Sequence, residues 1–185
     1  MRKRESSNQH HSGGVRQESR RIILLCFSGV FAALTFVLTS FTHIRLGSSI
    51  GYVHIGDAAI FLAASLLPAP YAMASAAIGA SLADWFLGSP VWIIATAPIK
   101  ALTALCFTAK KQTLFCVRNS IAIAAAALIG SGGYYLYESL LYSNFVAPAA
   151  FIVPNILQSL VSGGAYILMA VVLDRVAHVK AYFSI

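Results

Sequence analysis

Residues 22–41 read IILLCFSGVFAALTFVLTSF, twenty positions without a charge. About 20 apolar residues, rising 1.5 Å each, match the hydrocarbon thickness of a bilayer. This stretch therefore predicts a membrane-crossing helix. Ahead of it lies segment 1–21, polar and basic, with Arg2, Lys3, Arg4, Arg16, Arg20 and Arg21. That segment is expected to be a disordered cytoplasmic tail. Arg20-Arg21 before an apolar run has the outline of an export signal, but the run is too long for a cleaved core and no small-x-small site follows. A retained helix is expected.

The rest of the chain repeats the theme. Of 185 residues, 58% are hydrophobic and 10% charged, with mean hydropathy +0.76. A soluble domain carries about a quarter charged residues, so a water-soluble globule is excluded, as is disorder over most of the length. Downstream of residue 41 a polar interlude, 42–54, is too long for a tight turn. Next comes a short apolar run, 55–67, stopped by Pro68-Ala69-Pro70 because proline cannot continue a helix. Run 71–87 carries Asp84 near its end and closes at Gly88-Ser89-Pro90. Run 91–109 holds Lys100, and a basic loop, 110–118, follows. Runs 119–142, with Glu138, and 147–173, with Pro154 and Gly163-Gly164, complete the set.

The expected fold is an all-α integral membrane protein with six transmembrane helices in one membrane domain, 22–173, and a cytoplasmic tail, 174–185. Charge tests the count. Six crossings place both termini on one side, together with the Pro68 turn and loop 110–118. That side then holds eleven of the thirteen basic residues, while the other holds only Arg45 and Lys100 lies within a span. Lys and Arg accumulate on the cytoplasmic side, so both termini are expected there. The net charge of +7 is thus orientational and does not mark a nucleic-acid partner.

Several chemistries are missing. The sequence has no GxxxxGK[ST], HExxH or GxSxG, and nothing pairs a nucleophile with a base. Cys26, Cys106 and Cys116 are odd in number, without a CxxC. The chain is expected not to be an enzyme and to hold neither cofactor nor metal.

Polar groups inside the spans carry the functional signal. A charge at the bilayer centre costs about 2.5–3.5 kcal/mol on insertion scales, so Asp57, Asp84, Lys100 and Glu138 must face the bundle interior. For Lys100 and Glu138 the reading favoured is a binding site, with structural ion pairing the alternative. For Asp57 and Asp84, near helix ends, the structural role is favoured; a carboxylate in a first turn is stabilised by free N–H groups and the helix dipole. Helical spacing lines up Trp92, Thr96, Lys100 and Thr103 on the fourth run. It aligns Ser131, Tyr134, Glu138 and Tyr142 on the fifth, and Asn155, Gln158, Ser159 and Ser162 on the sixth. Lipid gives no reason for three such stripes. They are expected to converge in an outward-facing pocket of polar and aromatic groups, lidded by 42–54, with His54 capping the lid or touching the ligand. Interfacial belting accounts for Trp92 and Tyr142 without a ligand. Small residues at four-residue spacing, Ser75, Gly79 and Ala83, predict close helix packing within the chain. Gly29 and Ala33, widened by Ala32, form a second such patch.

Five stretches in order resemble the substrate-binding (S) components of energy-coupling factor (ECF) vitamin transporters. These are GYVHIGDAAIFLAA at 51–64 with the Pro-Ala-Pro turn, AAIGASLADW at 76–85, APIKAL at 97–102, YESLLY at 137–142 and PNILQ at 154–158. The likeness is nearest to the branch for hydroxymethylpyrimidine, pyridoxine or cobalamin. It implies a six-helix subunit of the bacterial plasma membrane that captures a vitamin from outside. Delivery is then made with a transmembrane scaffold subunit and two cytoplasmic ATPases, the whole subunit toppling in the membrane to release its cargo. On the same resemblance Gly29, Ala32 and Ala33 become the scaffold-docking face, with Gly29 where the family usually has Ala. The ligand falls among His54, Trp92, Thr96, Lys100, Tyr134, Glu138, Tyr142, Asn155 and Gln158. A stand-alone transporter using Lys100 and Glu138 as a proton-coupled pair is the competing reading.

Overall fold

The computed structural model describes residues 2–45 and 52–176, the first fifteen of these by backbone alone. Helix α1 runs Arg2–Phe41. Its apolar, membrane-length part is Gln17–Phe41, and the helix reaches back into the segment expected to be a disordered tail, since an established helix extends at the cost of one residue at a time. A two-residue strand β1 (Ile44–Arg45) pairs antiparallel with β2 (Tyr52–Val53), Ile44 opposite Val53. Then follow α2 (Gly56–Leu66), α3 (Ala69–Phe86), α4 (Ile93–Leu105), α5 (Val117–Leu141) and α6 (Ile152–Arg175). Single 3-10 turns at Pro90–Trp92 and Ala147–Phe151 lead into α4 and α6. The expected tail 174–185 lies mostly outside the described residues, and Asp174 and Arg175 are still helical.

Three of these elements are long and apolar enough to cross a bilayer: Gln17–Phe41, Val117–Leu141 and Ala147–Arg175. Leu25, Val30, Ile94, Leu128 and Leu168 project outward from the bundle, as lipid-facing residues do. The second apolar run behaves differently. All eleven residues of α2 are buried, so it forms the centre of the bundle, touching α1, α3, α4 and α6. At 1.5 Å per residue it spans about 16 Å, half a hydrocarbon core.

Small residues set the closest approach. A Cβ on Gly79 would stand 2.5 Å from the Ala32 carbonyl oxygen and 2.9 Å from Thr35 Cβ. The α3 stripe therefore seats α1 inside the subunit. A Cβ on Gly56 would fall 2.0 Å from Thr39 Oγ1, so the first residue of α2 has room only for hydrogen. Phe61 stacks on Phe107 with centroids 4.6 Å apart, and Tyr166 meets both edge-on. Below this cluster, Arg20, Lys110, Lys111 and Arg118 gather around the Pro68 turn at one end of the bundle.

Candidate functional site: a polar cavity at the other end

The opposite end of the bundle holds a partly open cavity of about 170 Å³. Its walls come from α1, α3, α4, α5 and α6, and His54 beside α2 closes one side. Eight of the nine residues expected at a ligand site line it: His54, Trp92, Thr96, Lys100, Tyr134, Glu138, Asn155 and Gln158. The ninth, Tyr142, is 61% exposed and does not. The four-residue spacing from Glu138 holds only while the helix continues, and α5 ends at Leu141, leaving Tyr142 as its cap.

Lys100 is 4% exposed, and its Nζ donates to both carboxylate oxygens of Asp57 at 2.7 and 2.8 Å. Gln158 Nε2 donates to Asp57 Oδ2 at 3.1 Å. Asp57 is thus the group that answers Lys100, and it fixes two cavity residues from behind. Lys100 is not paired with Glu138, as a proton-coupled pair would require. Sequence reading placed Asp57 as a helix-end carboxylate. Its position in the first turn of α2 is as expected, but its partners are 43 and 101 residues away. The signal available was that a buried lysine demands a buried acid.

One wall is aromatic. Trp92 meets Tyr134 at 6.3 Å and Tyr137 at 5.6 Å, both edge-on. Tyr134 hydrogen-bonds Thr96 at 3.0 Å, and Lys100 Nζ lies 5.7 Å from the Tyr134 ring centre. On α6, Asn155 Nδ2 donates to the Phe151 carbonyl at 2.9 Å. Asp84, read from sequence as structural, lines the cavity too, with Thr39, Ser89 and Pro154.

Residues 46–51 of the expected lid lie outside the described residues, and its far end, next to α2, is tied down by hydrogen bonds. The Gly56 N–H donates to His54 Nδ1 at 3.1 Å, Ser162 Oγ donates to the His54 carbonyl at 3.1 Å, and the Ile55 N–H donates to Thr42 Oγ1 at 3.3 Å. His54 is 6% exposed. Burial pulls its imidazole down to about 4, the Asp57 charge opposing. The ring is therefore neutral near pH 7, a hydrogen-bonding group and not a charge.

Gly29 and Ala33 lie on the outer surface of α1, and a Cβ on Gly29 would meet nothing within 4 Å. Ala32 faces the other way, 8% exposed against α3. One helical step of 100° separates it from Ala33, so it packs within the subunit and does not widen the outer patch. Among the described residues no three of His, Cys, Asp and Glu gather to hold a metal.

Fold and site define a class: a helical membrane protein with polar residues turned inward around a partly open cavity. The sequence model of the ECF-type riboflavin transporter S component family matches residues 20–175, and the chain belongs to that family. No curated protein matches it significantly. Membership places the chain among transmembrane transport components.

Proposed function

We propose that this protein is the substrate-binding subunit of an ECF-type importer. It captures a vitamin or vitamin precursor from outside and delivers it through a transmembrane scaffold and two ATPase subunits. The cavity carries this reading: charged, amide and aromatic groups from α3, α4, α5 and α6 surround one space, with His54 on one side and its carbonyl held by Ser162 of α6. Family membership supports it. The topology follows from placing the basic end in the cytoplasm. All six helices then cross, the short α2 at the centre of the bundle. Both termini lie in the cytoplasm of a bacterial plasma membrane, and the cavity opens outward. The protein is not itself an enzyme. The family is named for riboflavin; hydroxymethylpyrimidine, pyridoxine or a cobalamin is the cargo proposed from the sequence resemblance.

Purified alone, the protein is expected to retain a small molecule identifiable by mass spectrometry. Reconstituted alone into vesicles, it should bind that molecule without accumulating it. Accumulation without partners would instead support a stand-alone transporter. The exposed Gly29–Ala33 patch is the proposed scaffold-docking face. Gly29→Leu should leave ligand binding intact and abolish co-purification with the scaffold; recovery of the complex at wild-type yield counts against that assignment.

A further inference from the structure

The basic end of the bundle holds a second cavity, of about 490 Å³, which the cargo reading does not use. Four cations line it: Arg20 from α1, Lys110 and Lys111 from the loop after α4, and Arg118 from the first turn of α5. Among the described residues that line it, none is acidic. Two helices also begin beside it, α3 at Ala69 and α5 at Val117. Neither has an acidic residue in its first turn, although the positive end of a helix dipole favours an anion and disfavours a cation such as Arg118. Orientation in the membrane asks only that basic residues flank the spans. It does not ask that four of them, from three elements, face one cavity.

The chain has too few acids to answer this charge. Of its six, Asp57, Asp84 and Glu138 belong to the other end. Asp174 is taken by the N–H groups of Leu114 and Phe115. Glu5 and Glu18 remain, in a segment with six basic residues of its own, and residues 177–185 add Lys180 and no acid.

The cations stand on a fixed frame. Asn119 accepts from the Thr108 N–H and donates to the Leu114 carbonyl, so the loop carrying Lys110 and Lys111 is pinned on both sides. Beneath them the lining is apolar: Leu66, Leu67 and Phe107 are buried. Leu105 lines the cavity too and is 44% exposed, and the exposed Ile22 and Ile23 follow Arg20 on α1. Cations above an apolar floor that continues onto outward-facing aliphatic residues suit a phosphate carried on acyl chains better than a free anion.

From this juxtaposition we propose that the basic-end cavity binds the phosphodiester headgroup of an anionic phospholipid, as basic pockets between membrane helices can. Arg20, Lys110, Lys111 and Arg118 answer the phosphate, the guanidinium groups being suited to two-pronged contact with its oxygens. Leu105 borders the first carbons of the acyl chains. The lipid is a bound component of the subunit, whatever its cargo.

The test is native mass spectrometry of the full chain, purified in detergent and stripped of lipid. The probes are palmitoyl-oleoyl phosphatidylglycerol, the matching phosphatidylcholine, and inorganic phosphate. Phosphatidylglycerol should be retained about tenfold more than phosphatidylcholine, and inorganic phosphate should not displace it. Lys110→Gln combined with Arg118→Gln should lower its retention to the phosphatidylcholine level. Arg21→Gln combined with Arg175→Gln removes the same charge from exposed positions outside the cavity and should stay within twofold of the wild type. An unchanged elution profile shows that the fold is kept. If the first pair unfolds the protein, Lys110→Gln alone, at an exposed loop position, should still cost about fivefold. Equal retention of the two lipids, equal losses in the two double variants, or displacement by inorganic phosphate overturns the inference. Unchanged lipid retention in Lys110→Gln with Arg118→Gln, alongside lost co-purification with the scaffold, also overturns it and assigns this face to a protein partner.

Discussion

The two ends of the bundle bury polar side chains in opposite ways. At the basic end, Asn119 is fully buried and fully engaged. Its Nδ2 donates to Ser65 Oγ and to the Leu114 carbonyl, each at 3.1 Å, and its Oδ1 accepts from the Thr108 N–H at 3.0 Å. Tyr166 donates to the same Leu114 carbonyl at 2.8 Å, and Asp174 accepts from the N–H groups of Leu114 and Phe115 at 2.8 and 2.9 Å. Toward the cavity end, Asp84, Ser131, Glu138 and Ser139 each keep a buried oxygen without a partner. A network satisfied at every member rigidifies a structure, and one left incomplete destabilises it. The basic end is built as a fixed plug joining α2, α5, α6 and loop 110–118. The other end stores unmet hydrogen-bonding capacity, which is what a binding site must keep in reserve.

The Lys100–Asp57 pair stands where these two regimes meet, and removing one partner should give the largest effect. Lys100→Ala leaves a buried carboxylate alone, a loss of about 3–5 kcal/mol, read as a large fall in the melting temperature of the detergent-purified protein. The joint replacement Lys100→Met with Asp57→Leu should restore most of that loss, since apolar groups of similar volume substitute well for a buried pair. If Lys100→Ala melts like the wild type, water reaches the pair and the cavity floor is not dry.

Within the plug, Asn119→Ala strands the Thr108 N–H and removes a bridge to Ser65. The expected cost is about 1–3 kcal/mol, with cargo affinity unchanged within twofold. An altered affinity at full stability would dissolve the distinction between plug and site. The cavity acids should respond in reverse. Asp84→Asn and Glu138→Gln each replace a carboxylate that keeps one buried oxygen without a partner, so stability should hold or rise by about 1 kcal/mol while binding falls, the trade between activity and stability expected of a strained site. A loss of more than 2 kcal/mol in either would make that carboxylate structural, as Asp84 was first read from sequence.

How much of this was written in the chain can be judged residue by residue. Prolines and apolar runs located every helix: Pro68 and Pro90 sit at the junctions, and α5 closes within one residue of the expected end. Stripes at three- and four-residue spacing brought Trp92, Thr96 and Lys100 to one face because helical geometry is local. What escaped was long-range or marginal. Asp57 and Lys100 find each other only through packing of α2 against α4. Asn119 and Tyr166 looked like ordinary span residues because a network across 47 positions leaves no local pattern. Tyr142 and Ala32 each failed by a single helical step, one past a helix end and one around its circumference.

The last expected effect concerns His54, beside the cavity, and it depends on pH. His54 is buried with its pKa lowered from 6.5 to about 4, desolvation outweighing the attraction of Asp57. The unfolded chain takes up a proton as pH falls through 6.5, and the folded chain does not until about 4, so the unfolded state binds more protons in that window. Stability contributed by neutral His54 is thus complete above 6.5, declines as pH drops toward 4 and is level below it. The decline totals at most about 3 kcal/mol. His54→Asn, which keeps a side-chain acceptor for the Gly56 N–H, should flatten this segment of the melting-temperature profile by removing the titrating ring. If both proteins lose stability in parallel between pH 6.5 and 4, the carboxylates and not the lid histidine govern the acid response, and the anchoring of 52–56 owes nothing to a neutral ring.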